Sequence, residues 1–132
     1  MKKIIVILIA LILCSCNVND SNVISRIEKD IYIKFEDMFY SNSGIYYFYM
    51  NGCAACESID YSIKEYALTN EDFYLVIPSN KFKYGYDKDL NIGVNNYEDI
   101  IITGFPSLFI VNGYKVVDIK AGVKDISNYL LW

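Results

Sequence analysis

Apolar and polar positions change rhythm several times along the chain, and each change predicts an element. Positions 4–13 form an unbroken apolar run, and a second run, mostly aromatic, covers 45–50. A run with no polar interruption suits a strand buried on both faces, and Asn51-Gly52 breaks it. From Cys53 the period lengthens. Ala55, Ile59, Ile63 and Tyr66 recur at steps of three or four with Glu57, Lys64 and Glu65 between them, a helical spacing that stops at Thr69-Asn70. The β-branched and aromatic run 73–77, closed by Pro78, predicts a strand parallel to the first, which makes a βαβ unit. Further on, Pro106 opens the run 108–111, since proline is excluded from the interior of a central strand. Asn112-Gly113 between that run and 114–119 predicts a hairpin. Ile126, Tyr129 and Leu130 predict a terminal helix over 125–132, packed on the sheet.

Other stretches carry weaker rhythm. Ile24, Ile27 and Ile31 are spaced for one face of a short N-terminal helix; 31–35 alternates like a strand, and 35–40 suits a helical turn before Ser41 to Gly44 break it. Positions 79–96 mix lysines, aromatics and acids without period, which predicts a solvated loop, with a substrate-facing lid as the sharper alternative. A short helix is expected over 96–101.

The N-terminal run changes the picture of the whole chain. Ten apolar residues behind Met1-Lys2-Lys3 are too few for a bilayer span, which takes about 20, and they fit the layout of a secretion signal. Its end, Leu13-Cys14-Ser15-Cys16, resembles the lipobox of bacterial lipoproteins, in which the cysteine after a small residue is lipidated and becomes the mature N-terminus. Cys16 follows Ser15 and meets that rule, whereas Cys14 follows the bulky Leu13. The expected organisation is a lipoprotein signal peptide over 1–15, a lipidated N-terminus and tether over 16–26, and one domain over 27–132. Residues 1–15 take Lys2 and Lys3 with them and no acid, so 10 basic side chains remain against 16 acidic ones, a formal −6 instead of −4. An acidic, tyrosine-rich chain argues against nucleic acid as a partner.

That arrangement leaves Cys53 and Cys56 of the four cysteines. Both fall in the first turn of the predicted helix, on one face. Unpaired N–H groups at a helix start carry partial positive charge and favour thiolate over thiol, and Cys53 is the better placed. Glu57 opposes that effect by charge repulsion. Zinc needs more ligands than this pair supplies, and the chain has no histidine and no second pair of that spacing. Redox chemistry, a purely structural disulfide and a copper(I) site on two thiolates are the remaining readings.

Several features in order resemble the thioredoxin fold: the strand 45–50, the helix start Cys53-Ala-Ala-Cys56, the strand 73–77, Gly104-Phe-Pro-Ser107 and the Asn112-Gly113 hairpin. The resemblance runs from about Ile31 to Trp132 and implies an α/β, thioredoxin-like fold with a central mixed sheet of four to five strands flanked by helices. In that family the proline matching Pro106 is cis, lies against the cysteine pair and leaves the preceding backbone free to pair with substrate. The resemblance therefore gives substrate binding to Phe105 and Pro106, with Gly52 beside the pair where the family carries tryptophan. Two further departures are Ala54-Ala55 between the cysteines in place of Gly-Pro, and Tyr47 where the family has a buried strand aspartate.

The resemblance implies a thiol–disulfide oxidoreductase, anchored by lipid on Cys16 to a bacterial cell membrane and facing outside the cytoplasm. Cys53 would be the nucleophile and Cys56 the resolving cysteine. It would act as a monomer on protein or peptide thiols and disulfides, with a membrane or extracytoplasmic redox partner to reset the pair and no metal or organic cofactor. The alternatives are a non-catalytic binding or accessory module with a static disulfide, for example for secreted peptide transport, and a copper-handling lipoprotein.

Overall fold

The aromatic run becomes β2 (Ser43–Phe48), the middle strand of a five-stranded sheet. The structure, a computed structural model, describes residues 26–131, so the expected signal peptide, Cys14, Cys16, Ile24 and Trp132 lie outside the described residues. On one side β2 pairs in parallel with β3 (Phe73–Val76), which pairs in parallel with the two-residue β1 (Tyr32–Ile33). On the other it pairs antiparallel with β6 (Ser107–Asn112), which turns back into β7 (Lys115–Ala121). The order β1-β3-β2-β6-β7, with a helix crossing between the parallel pair and a hairpin at the other edge, is the expected thioredoxin-like architecture.

Alternation along β2 divides the core in two. Tyr46 and Phe48 face one side, where they join Phe35, Phe82 and Phe109; Tyr47 faces the other, with Ile59, Ile63 and Leu108. The second side is covered by α1 (Ala54–Thr69) and α2 (Gly122–Leu130), which meet the sheet through Ile63 and Ile126, both fully buried. The first side carries no α-helix among the described residues. It is closed by an edge-to-face aromatic cluster, Phe35 against Phe48 at 5.8 Å, Phe82 at 4.9 Å and Tyr97 at 5.3 Å. Such pairs add about 0.5–1.5 kcal/mol each beyond the area they bury. Position 44, the second residue of β2, is a glycine because the Tyr46 ring folds back over it. A Cβ there would stand 2.6 Å from the phenol oxygen.

Several expectations are corrected in detail. The buried stripe of α1 is Cys56, Ile59, Ile63 and Ala67; Ala55 is exposed and Tyr66 only half-buried. The helix phase is set by packing Cys56 inward, which turns Ala55 to solvent. No N-terminal helix spans Ile27 and Ile31: only a 3-10 turn, Glu28–Ile31, forms, Ile27 is 56% exposed, and β1 follows at once. Residues 79–96 are more than a loop. They hold β4 (Lys83–Tyr84), paired in parallel with β5 (Ile101–Ile102), and a 3-10 turn, Lys88–Asn91. The short helix expected over 96–101 is a single 3-10 turn, Tyr97–Asp99. The hairpin turn is one residue later than Asn112-Gly113: Asn112 pairs with Lys115, and Gly113 and Tyr114 make the turn with φ of 63° and 59°. Both signs are those a primed two-residue turn requires, so Tyr114 takes a conformation that few residues other than glycine adopt. The last helix starts at Gly122, three residues before its predicted start.

Candidate functional site

β2 ends at Phe48, and Tyr49 to Gly52 carry the chain over the end of the sheet to Cys53. Gly52 has φ of 76°, the left-handed turn that delivers the chain to the helix, and the Cys53 N–H donates to the Met50 carbonyl at 3.3 Å. Cys53 is the N-cap of α1 and Cys56 lies in its first turn. The two are joined as a disulfide with Cα atoms 5.2 Å apart. The Cys56 backbone N–H donates to the Cys53 sulfur at 3.2 Å, so one of the free N–H groups of the helix start points at the sulfur itself. Cys53 is half-buried and Cys56 only 5% exposed, an asymmetry fixed by the inward-facing stripe of α1.

Phe105 and Pro106 reach the same end of the sheet from the neighbouring strand. Ser107 pairs with Phe48, which puts Pro106 one residue beyond the last pair of β2. The Phe105–Pro106 peptide bond is cis, as expected, and Pro106 is buried. The loop is tied down on both sides: Ser107 Oγ donates to the Gly104 carbonyl at 2.6 Å, and the Gly122 N–H at the head of α2 donates to the Pro106 carbonyl at 2.9 Å. Between them, the Phe105 backbone makes no hydrogen bond among the described residues. The Phe105 ring packs beside Phe82 at 6.2 Å and Tyr84 at 6.4 Å. Tyr84, from the stretch read as loop or lid, is 62% exposed and lines an open cleft with Met50, Asn51 and Pro78.

A second cleft of about 290 Å³ runs under the helix start, lined by Tyr47, Tyr49, Gly52, Cys56, Asp60 and Lys64 among others. Lys64 pairs with Asp60 at 3.0 Å, and that hydrogen bond pushes the lysine pKa up. Tyr47 is buried, and its hydroxyl has no hydrogen-bond partner among the described residues. Its pKa is pushed up, first by burial and then by the charge of Asp60 and by Tyr49. A larger cleft of about 550 Å³ lies between α1 and α2, lined by Tyr66, Leu68 and Leu130 at the far end of α1 from the cysteines. Only the smaller one reaches a sulfur. The aromatic run gave Tyr47 as a strand residue; an unpartnered hydroxyl is a property of three-dimensional packing, and periodicity carries no signal for it.

The sequence-predicted residues thus divide into those brought together and those not described. Cys53, Cys56 and Gly52 form one continuous helix start; Phe105 and Pro106 stand at the same sheet end on the adjacent strand; Cys16 lies outside the described residues. Among the described residues no cluster of three or more His, Cys, Asp or Glu side chains is placed to hold a metal ion, and no helix is long and apolar enough to cross a membrane. A disulfide of this spacing, capping a helix at the end of a thioredoxin-like sheet, is the arrangement of a redox-type module.

No family profile matches the chain, and no curated sequence matches it. Among solved structures the chain is similar to the thioredoxin of Malassezia sympodialis, Mala s 13, at 12% identity over 76% of this chain and 86% of that one, with a TM-score of 0.48. The assignment of the fold rests on the strand order and register given above.

Proposed function

We propose that the chain is a thiol–disulfide oxidoreductase, lipid-anchored through Cys16 to a bacterial cell membrane, that exchanges disulfides with protein or peptide substrates outside the cytoplasm. The observation that carries the reading is the unequal exposure of two bonded cysteines at a helix start. Cys53 is open to attack and has an N–H aimed at its sulfur, which favours the thiolate once the bond is open. Cys56 is enclosed, which suits a leaving group and resolving thiol. Phe105, Pro106 and Gly52 would hold the substrate segment, the unpaired backbone of Phe105 offering it a donor and an acceptor. No cofactor is needed, because electrons move only between sulfurs and a redox partner resets the pair. The protein would work as a monomer.

The test uses the full-length chain carrying Cys56→Ser, expressed in bacterial cells and alkylated before lysis. It should accumulate covalent adducts through Cys53 that dithiothreitol releases, in the membrane fraction; adding Cys16→Ser should move them to the soluble fraction. Absence of adducts, together with a wild-type protein that does not reduce insulin in the presence of a dithiol, would sink the enzyme reading. A wild-type disulfide with a potential below about −300 mV would mark a static bridge and an accessory module instead.

A further inference from the structure

One polar side-chain atom in the core is left unmatched among the described residues, and it lies beside the chemistry. The Tyr47 hydroxyl is buried without a partner there, whereas buried hydroxyls are almost always hydrogen-bonded, and an orphan costs the state that holds it stability, which a state that pairs it would recover. Its position is set by the pleat. Tyr47 pairs with Leu75 on β3 and Leu108 on β6, so its ring is fixed in the middle of the sheet on the face that α1 covers. On α1, Cys56 opens the inward stripe that continues through Ile59 and Ile63, and Tyr47 and Cys56 line the same cleft of about 290 Å³.

Resting on the exchange reading above, we propose that the Tyr47 hydroxyl is the hydrogen-bond donor that receives the Cys56 sulfur when the disulfide opens. A substrate thiolate attacks the Cys53 sulfur, the Cys53–Cys56 bond breaks, and its electron pair leaves on Cys56 while the proton of the substrate thiol goes to solvent. A second substrate thiolate, its proton also lost to solvent, attacks the substrate sulfur of the mixed disulfide and displaces Cys53; the two cysteine thiolates take two protons from solvent, so two substrate thiols become one disulfide and the pair becomes a dithiol. During the first step negative charge builds on the sulfur of a buried cysteine whose cleft is also lined by two acids, Glu57 and Asp60, with Lys64 already engaged by Asp60. A neutral O–H supplies what that sulfur lacks. Burial raises the pKa of the phenol, so it keeps its proton and acts as a donor rather than as an acid.

Tyr47 is thus a positioning residue for the reduced state, and removing its oxygen should affect the two redox states differently. The test compares the wild type with Tyr47→Phe in the full-length chain, both carrying Cys14→Ser and Cys16→Ser so that Cys53 and Cys56 are the remaining thiols. Equilibration against glutathione mixtures should show the variant about tenfold shifted toward the disulfide, which is about 30 mV more negative. The oxidised variant should melt no lower than the oxidised wild type, because the oxidised state makes no use of the hydroxyl. Tyr49→Phe, on the same wall of the cleft, should move the equilibrium less than twofold. A shift below twofold for Tyr47→Phe, an equal shift for Tyr49→Phe, or an oxidised variant that melts clearly lower would overturn the proposal while leaving the exchange reading intact. A wild-type pair that glutathione cannot open would overturn both.

Discussion

Asn91 shows the opposite treatment of a buried polar group. It is fully buried, and its amide is used on both sides: Nδ2 donates to the carbonyls of Lys88 and Ile101, each at 2.9 Å, and Oδ1 accepts from the Ile101 N–H at 2.7 Å. One side chain therefore joins the 3-10 turn Lys88–Asn91 to β5 and satisfies a strand backbone that no neighbouring strand reaches on that side. Asn91→Ala would leave the Ile101 N–H and carbonyl unpaired in the interior. The expected loss is about 3 kcal/mol, from the cost of stranding two buried groups, read as a fall in the urea midpoint with the slope unchanged. Tyr47→Phe removes an unmatched group instead, and the contrast between the two substitutions is the residue-scale lesson. A buried polar atom with all its partners is structural, and one without a partner points to a state other than the one observed.

At the scale of elements, α1 is fixed at both ends by groups outside its hydrophobic stripe. Its start is closed by sulfur, and its C-terminal carbonyls are taken by Arg26, the last residue of the expected tether. That guanidinium donates to the carbonyls of Ala67 at 3.2 Å, Asn70 at 2.9 Å and Phe73 at 2.5 Å, reaches Asp30 at 2.7 Å, and lies 4.6 Å over the Tyr74 ring. A cation at the negative end of a helix is favoured; Nη1 serves the three carbonyls, Nη2 serves that of Asp30 and the flat group lies on the Tyr74 ring, a combination that an ammonium does not reproduce. Arg26→Ala should lower stability by about 2 kcal/mol, and Arg26→Lys should recover less than half of it, measured by chemical denaturation. None of this was legible in the sequence, where Arg26 is one charge in a mixed run with Glu28, Lys29 and Asp30. What was legible had strong local rhythm: the aromatic β2, the period of α1 from Cys53 to Thr69, β3 closed by Pro78, and the strand that starts after Pro106. The stretch 79–96 was not, because β4 and β5 are two residues each and are held by partners distant in sequence, Gly85 donating to Ile102 and Asn91 clasping Ile101. Two residues are too few to show a period. The same limit hid the true turn. Asn112-Gly113 has the composition of a turn centre, and only pairing across the hairpin reveals that Asn112 belongs to the strand.

Across the whole molecule, one face of the sheet is packed largely with aromatic rings and the other largely with aliphatic side chains, and each face buries a phenol of β2. Tyr46 and Tyr47 are each 2% exposed on opposite faces of β2, with Tyr46 stacked on Tyr74 at 5.7 Å. Burial pushes the Tyr46 pKa from its ordinary 10.0 up to about 12, with Tyr74 and Asp72 adding to it, and pushes that of Tyr47 upward as well. The direction fixes the pH dependence. Below pH 10 both the folded and the unfolded chain hold these protons, and the contribution to stability is constant. Above it the unfolded phenols ionise while the folded ones cannot, the unfolded state binds fewer protons, and stability falls as pH rises through the folded pKa. Urea midpoints of the oxidised protein should therefore be level between about pH 8 and 9 and decline beyond 10, and Tyr46→Phe and Tyr47→Phe should each make the decline shallower. A midpoint that stays level to pH 12 would mean that these hydroxyls reach solvent in the folded state. The burial of the Tyr47 hydroxyl, on which the role given to it depends, would then be lost.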